Sequence, residues 1–191
     1  MTYALEQTLA PVGHLLTFDE VKTYLRVDAN DEQATILAIV DAAEAFIEVE
    51  LGDAKLRTQT WKEYRDTFPA GRGIIRPRLW PVASVESVKY TDTDDSLETF
   101  TDWQLDAVSQ PARLLPSPDF YWPTDEKADT MNAVVLETIV GWATVPHELT
   151  LAAKILTAHW FENREPTADG TIAEVPLSVR TLIDHHRIPR L

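Results

Sequence analysis

The chain has 191 residues, with 31 Asp and Glu against 17 Lys and Arg and no cysteine, giving a formal charge of −14. Without thiols, disulfide scaffolds, cysteine zinc fingers, CxxC redox motifs and cysteine nucleophiles are excluded, and the acidic balance argues against a body that grips nucleic acid by displacing phosphate counterions. No apolar run approaches the roughly 18 residues of a membrane span, and Met1 to Pro11 lacks the basic and apolar regions of a secretory signal, so a cytosolic chain with no membrane partner is expected.

Residues 1–14 show no periodicity and contain Pro11 and Gly13, which predicts a loose arm. Thr17-Phe18-Asp19-Glu20 spells a capping box, a hydroxyl that caps free N–H groups and a Glu three residues on that reciprocates, so a short helix to about Arg26 is expected. After a polar start at Asp28 to Asp31, Ile36, Ile39, Val40, Ala43, Ile47 and Leu51 recur at three- and four-residue steps, the apolar stripe of a long helix that Gly52 ends.

From Lys55 to about Trp142 the pattern becomes strand-like. Thr58 to Tyr64, Gly73 to Arg76, Ser84 to Tyr90, Thr99 to Leu105 and Ala133 to Val140 are short runs rich in β-formers, separated by Pro69-Ala70-Gly71, Trp80-Pro81, the acidic Asp92 to Asp95 and the proline-rich Pro111 to Pro123. Helix returns after Val145-Pro146, with Leu149, Ala152, Ala153, Leu156 and Trp160 on its buried face, and a last helix starts near Pro176. The expectation is an α+β chain in which N- and C-terminal helices form a helical bundle around an inserted antiparallel β-rich region. The corresponding divisions are a 1–14 arm, a helical domain from 15–54 and 143–185, a 55–142 β-rich insertion, and a 186–191 tail.

Catalytic signatures are weak. His159 and Glu162 lie one helical turn apart and could share a metal, but His159 stands beside Trp160 and Phe161 near a helix end, where packing or capping is the stronger reading. Asp92, Asp94 and Asp95 resemble half a calcium loop but lack its turn glycine and its closing Glu. With six glycines the chain has no phosphate cradle, and no serine lies in a G-x-S-x-G context. A metal-dependent enzyme using His159 and Glu162 and a monomeric acidic binding module are the alternatives to a structural role, for which no cofactor is expected.

Charge is distributed in blocks. Between Val27 and Ala54 lie acidic residues, Asp41, Glu44, Glu48 and Glu50 among them, and no basic one. From Lys55 to Lys89 basic residues dominate, including Arg57, Lys62, Arg65, Arg76 and Arg78. Two readings stay open: neutralisation within one chain, or a head-to-tail contact between the acidic helix of one copy and the basic strands of the next.

The residues Thr17 to Asp28 (T-x-x-E-V-K-x-Y-L-R-V-D), the long acidic helix ending in Leu51-Gly52, T-Q-T-W at 58–61, the Pro-containing stretch Arg76 to Val85, V-G-W-x-x-V-P at 140–146, the segment Ala158 to Glu165 and P-L-S-V-x-x-L-I at 176–183 together resemble the head-tail connector, or adaptor, proteins of long-tailed bacteriophages and phage-like gene transfer agents. The resemblance implies a non-enzymatic ring, usually of twelve copies, assembled in the bacterial cytoplasm into the neck of a particle. The ring would sit between a portal protein and a tail-side connector or stopper, with DNA passing through without specific binding. It also implies that the C-terminal segment, here His186, Arg187, Ile188, Pro189, Arg190 and Leu191, engages the portal. Asp41, Glu44, Glu48 and Glu50 are then candidates for a channel wall or subunit interface, and Arg57, Lys62, Arg65, Arg76 and Arg78 for the interface.

Overall fold

The computed structural model describes residues 3–27, 31–127, 130–163 and 176–188. In chain order the elements are β1 (Tyr3–Leu9), α1 (Phe18–Leu25), α2 (Gln33–Glu50), β2 (Gln59–Arg65), β3 (Val82–Thr91), β4 (Leu97–Phe100), β5 (Trp103–Asp106), β6 (Arg113–Pro116), β7 (Val134–Val140), α3 (His147–Glu162) and α4 (Leu177–Asp184). This is an α+β fold with antiparallel sheets, and no described helix is long and apolar enough to cross a membrane. Two compact units divide the chain, one of residues 1–11 with 57–143 and one of residues 12–56 with 144–191.

In the first unit a five-stranded sheet runs β1-β2-β7-β3-β4, and β5 pairs with β6 in a separate ribbon. The β7 strand alternates buried and half-buried residues along its whole length, so Val134, Leu136 and Val140 face one core while Val135, Glu137 and Ile139 face away. That core gathers Val82, Val85 and Val88 of β3 and Leu114 of β6 with Phe68, Ile75, Leu79, Ala112 and Trp122 from the connecting segments. Trp122 stacks on Phe68 at 5.1 Å and meets Phe100 at 5.3 Å, while its indole N–H donates to the Gly73 carbonyl at 2.7 Å, so the largest buried ring keeps its polar atom bonded.

Here the structure corrects the expected arm and several strands. Residues 3–9 are not loose: they form β1, paired with β2 from Tyr3↔Arg65 to Leu9↔Thr60. The run Thr99 to Leu105 is broken into β4 and β5, which belong to different sheets. Gly73 to Arg76 makes only an isolated bridge, Ile75 to Leu114, and β6 lies inside the proline-rich punctuation.

In the second unit α2 packs on α3, α3 on α4, and α1 on both α2 and α3. The buried positions are Ile36, Val40, Ala43 and Ile47 of α2, Leu149, Ala152, Ala153 and Leu156 of α3, and Val179 and Ile183 of α4, with Phe46 and Trp160 edge-to-face at 5.9 Å. The capping box at Thr17 is present in both directions: the hydroxyl accepts from the Glu20 N–H, and the Glu20 carboxylate accepts from the Thr17 N–H at 2.9 Å. These bonds hold the Glu20 carboxyl below its ordinary range. Thr17→Ala is expected to cost about 1 kcal/mol in equilibrium urea unfolding, and an unchanged midpoint would contradict the cap's role. Pro146 and Pro176 stand at the N-caps of α3 and α4, one residue before the helix proper.

Candidate functional site

Many of the charged side chains singled out in the sequence are already bonded within their own unit. On α2, Asp41 is exposed and lies 2.7 Å from His14 Nδ1, whereas Glu44 is buried. Glu48 closes the end of the helix: one carboxylate oxygen takes the Lys55 ammonium at 2.7 Å and the other the Leu56 N–H at 2.8 Å. Burial pushes the Glu48 carboxyl above its ordinary value, and the Lys55 and Leu56 bonds oppose that rise. Glu50 is partly exposed, with a carboxylate oxygen 3.6 Å from the Arg187 guanidinium.

The basic residues of the sheet unit are similarly engaged. Lys62 in β2 stands opposite Glu6 of β1 and Glu137 of β7, so its cross-strand neighbours on both sides are carboxylates. Arg65 is 12% exposed and grips the buried Glu63 through Nε at 2.8 Å and Nη2 at 2.6 Å, and Nη2 also reaches the Arg76 carbonyl at 2.6 Å. The other Glu63 oxygen accepts the Arg78 N–H at 2.7 Å. Arg57 lies in a bridge with Trp142, and its carbonyl accepts from the Gln59 side chain at 3.2 Å. Of the five, only Arg76 is exposed rather than half-buried. Neutralisation within the chain therefore accounts for Lys55 and Arg65, and cross-strand carboxylates flank Lys62.

At the other end of the chain, His186 Nε2 lies 2.9 Å from Glu148, a contact that, with the backbone N–H of Glu148, holds that carboxyl below its ordinary range. Arg187 Nε donates to the Glu50 carbonyl at 3.0 Å, and Ile188 is half-buried. Pro189, Arg190 and Leu191 lie outside the described residues. The root of the expected tail is thus fastened to α2 and α3.

His159 Nδ1 faces the Asn163 amide at 3.4 Å, and among the described residues no group of three His, Cys, Asp or Glu side chains is placed to hold a metal. Asp92 accepts from the N–H groups of Asp94 and Ser96, both at 2.8 Å, which makes the acidic run a hydrogen-bonded turn.

The β5–β6 turn is a second such device. Asp106 accepts from the Ser109 hydroxyl and N–H, the Val108 N–H and Arg113, and the Ser109 hydroxyl first, then Arg113, hold its carboxyl well below the carboxylate range. A depressed carboxyl stabilises the folded form above its unfolded pKa of about 3.9, and that contribution is lost as pH falls through and below this value. Amide exchange at Val108 and Ser109, corrected for intrinsic rates, is therefore expected to lose protection between pH 5 and pH 2.5. Constant protection would contradict it.

Sequence reasoning missed Glu63 as a structural ion and the Phe120-Tyr121 loop. Glu63 was findable: Gln59, Trp61, Glu63 and Arg65 share one face of a strand by the period-two rule, so an acid and a base meet beside a tryptophan.

Three solved structures share this architecture. A chain in the neck of an empty GTA particle computed with C6 symmetry is 22% identical, with a TM-score of 0.77, covering 98% of this chain and 97% of that one. A chain of the virion of a native gene transfer agent (GTA) particle is 23% identical, with a TM-score of 0.78 over 98% and 96%. A chain in the neck of a native GTA particle computed with C12 symmetry is 22% identical, with a TM-score of 0.76 over 98% and 97%. No curated protein matches the sequence. The model of the head completion proteins matches residues 14–188, which takes in every helix and all strands but β1: the chain belongs to the head completion protein family, whose members are structural proteins rather than enzymes.

Proposed function

We propose that the chain is a head-tail connector that assembles as a ring of twelve copies in the neck of a phage-like particle, between a portal protein and a tail-side stopper. The observation that carries this reading is the match of a head completion model to residues 14–188, joined by a fold shared over nearly the whole chain with proteins of particle necks. The C12 symmetry of one such neck supports the copy number.

The output of such a protein is geometry. An acidic wall repels a polyanion and lets it pass, where a basic wall would retain it. Within the acidic set on α2, Glu44 is buried and Glu48 is bonded to Lys55 and Leu56, while Asp41 and Glu50 reach the surface with His14 and Arg187 beside them; Glu50 is the side chain offered to such a wall and Asp41 to a subunit contact. Portal engagement by the C-terminal segment is part of the same proposal. With His186 and Arg187 fastened to Glu148 and Glu50, docking falls to the residues that follow.

Deleting the chain from the particle-producing cell and imaging the products by negative stain tests the reading. DNA-filled heads without tails are expected. Normal tailed particles would end it.

A further inference from the structure

The exposed side of α2 is unlike that of an ordinary surface helix. Beyond the first turn its exposed positions are Ala38, Asp41, Ala42, Ala45 and Val49, with Val49 73% exposed. A helix whose other face is already buried normally turns charged and polar groups outward, and one that is apolar nearly all round is built to be covered.

The sheet unit carries the opposite feature. Phe120 and Tyr121 are 45% and 64% exposed on a loop that is held firmly: Trp122 donates its N–H to the Gly71 carbonyl at 3.0 Å and its indole N–H to the Gly73 carbonyl at 2.7 Å. The Arg72 guanidinium reaches the Pro116 and Ser117 carbonyls at 3.2 Å. Arg72 thus meets main-chain oxygens and no carboxylate among the described residues. Exposed aromatic rings on a loop whose main chain is tied down, with an arginine bonded to the same loop, are the composition of an interface anchor.

We propose that in the ring the exposed face of α2 of one copy receives the Arg72–Phe120–Tyr121 patch of the next copy, the two rings lying over the alanines and the guanidinium meeting Asp41. This rests on the connector reading. The occupant is a second copy because the charges match within one sequence: the patch offers a cation without a carboxylate, and the helix face offers one carboxylate, Asp41, in an apolar strip, exposed and touched on one oxygen by the His14 ring at 2.7 Å, which leaves its other oxygen for a guanidinium. Small side chains there leave room for aromatic rings. Two different patches meeting make a heterologous contact, the kind that propagates from copy to copy and closes into a ring.

The absence of cysteine from the chain gives a clean test. Particles carrying the double variant Ala42→Cys with Tyr121→Cys are oxidised and run on a non-reducing gel beside particles carrying Ala42→Cys with Val108→Cys, a pair that uses an even more exposed site on the β5–β6 turn. A ladder of covalent multimers at least tenfold above the control pair is expected. Particles that contain the chain but yield only monomer, or equal ladders from both pairs, would overturn the contact and leave the connector reading standing. A chain absent from wild-type particles would bring down that reading and this contact with it. If the cysteine variants fail to incorporate, the same contact is read from charge: Arg72→Glu and Asp41→Lys are each expected to lower incorporation about fivefold and their combination to restore it, and no restoration overturns the proposal.

Discussion

Gly141→Ala is expected to lower the stability of the sheet unit by on the order of 3 kcal/mol or more. Gly141 has φ of 105°, a conformation open to glycine and costly for any residue with a Cβ. A methyl group there would stand 2.2 Å from the Arg57 carbonyl oxygen, 2.5 Å from its carbon and 2.9 Å from the Thr58 nitrogen. All three are backbone atoms, so no side chain can swing aside. Relief would have to displace β2 from β7, or break the Gly141 N–H bond to the Pro81 carbonyl at 2.9 Å. Gly71 supplies the control: its φ is 64° but a Cβ would meet nothing within 4 Å, so Gly71→Ala carries the conformational strain alone, about 1 kcal/mol. Urea unfolding of the two variants separates clash from strain, and equal midpoints would contradict the close approach.

Glu63→Ala is expected to cost about 3–5 kcal/mol, the range for breaking a buried ion pair from one side. Glu63 is 3% exposed, and its two oxygens answer the Arg65 guanidinium and the Arg78 N–H. Removing the carboxylate leaves a nearly buried cation and a backbone donor without their acceptor, and breaks one of the bonds that tie the Arg76–Arg78 segment to the end of β2, the Arg65 bond to the Arg76 carbonyl remaining. Adding Arg65→Met is expected to recover part of the loss, because the orphaned charge goes with it. A Glu63→Ala protein as stable as the surface variant Glu86→Ala would show that the pair contributes nothing.

The fold was legible where periodicity and caps were strong. The capping box at Thr17, the apolar stripe from Ile36 to Leu51 and the alternation from Ala133 to Val140 each became the element expected, because one face of each is buried and the sequence must record it. The N-terminal strand was not legible. From Ala4 to Leu9 its residues are exposed or half-exposed at the sheet edge, so no alternation is required, and it is held largely by main-chain bonds to β2. The break between β4 and β5 was hidden for another reason: both halves use β-forming residues, and only the turn at Thr101-Asp102 directs the second into a different sheet.

The charged surface was half legible. Blocks of acidic and basic residues were visible along the chain, but partner choice is a property of registers and turns. Glu48 bonds Lys55 because the helix ends at Leu51 and the chain folds back, and Lys62 lies between Glu6 and Glu137 because three strands align there. Neither fact follows from composition. The Phe120-Tyr121 loop escaped notice because aromatic residues in a proline-rich stretch read as punctuation or core, and only exposure distinguishes an anchor from packing.

The most direct measurement is a reconstruction of the particle neck with no symmetry imposed. The account requires a closed ring of twelve copies of this chain beneath the head, each accommodating the helical and sheet units. A neck without this chain, or one in which its copies make no contact with one another, would contradict it.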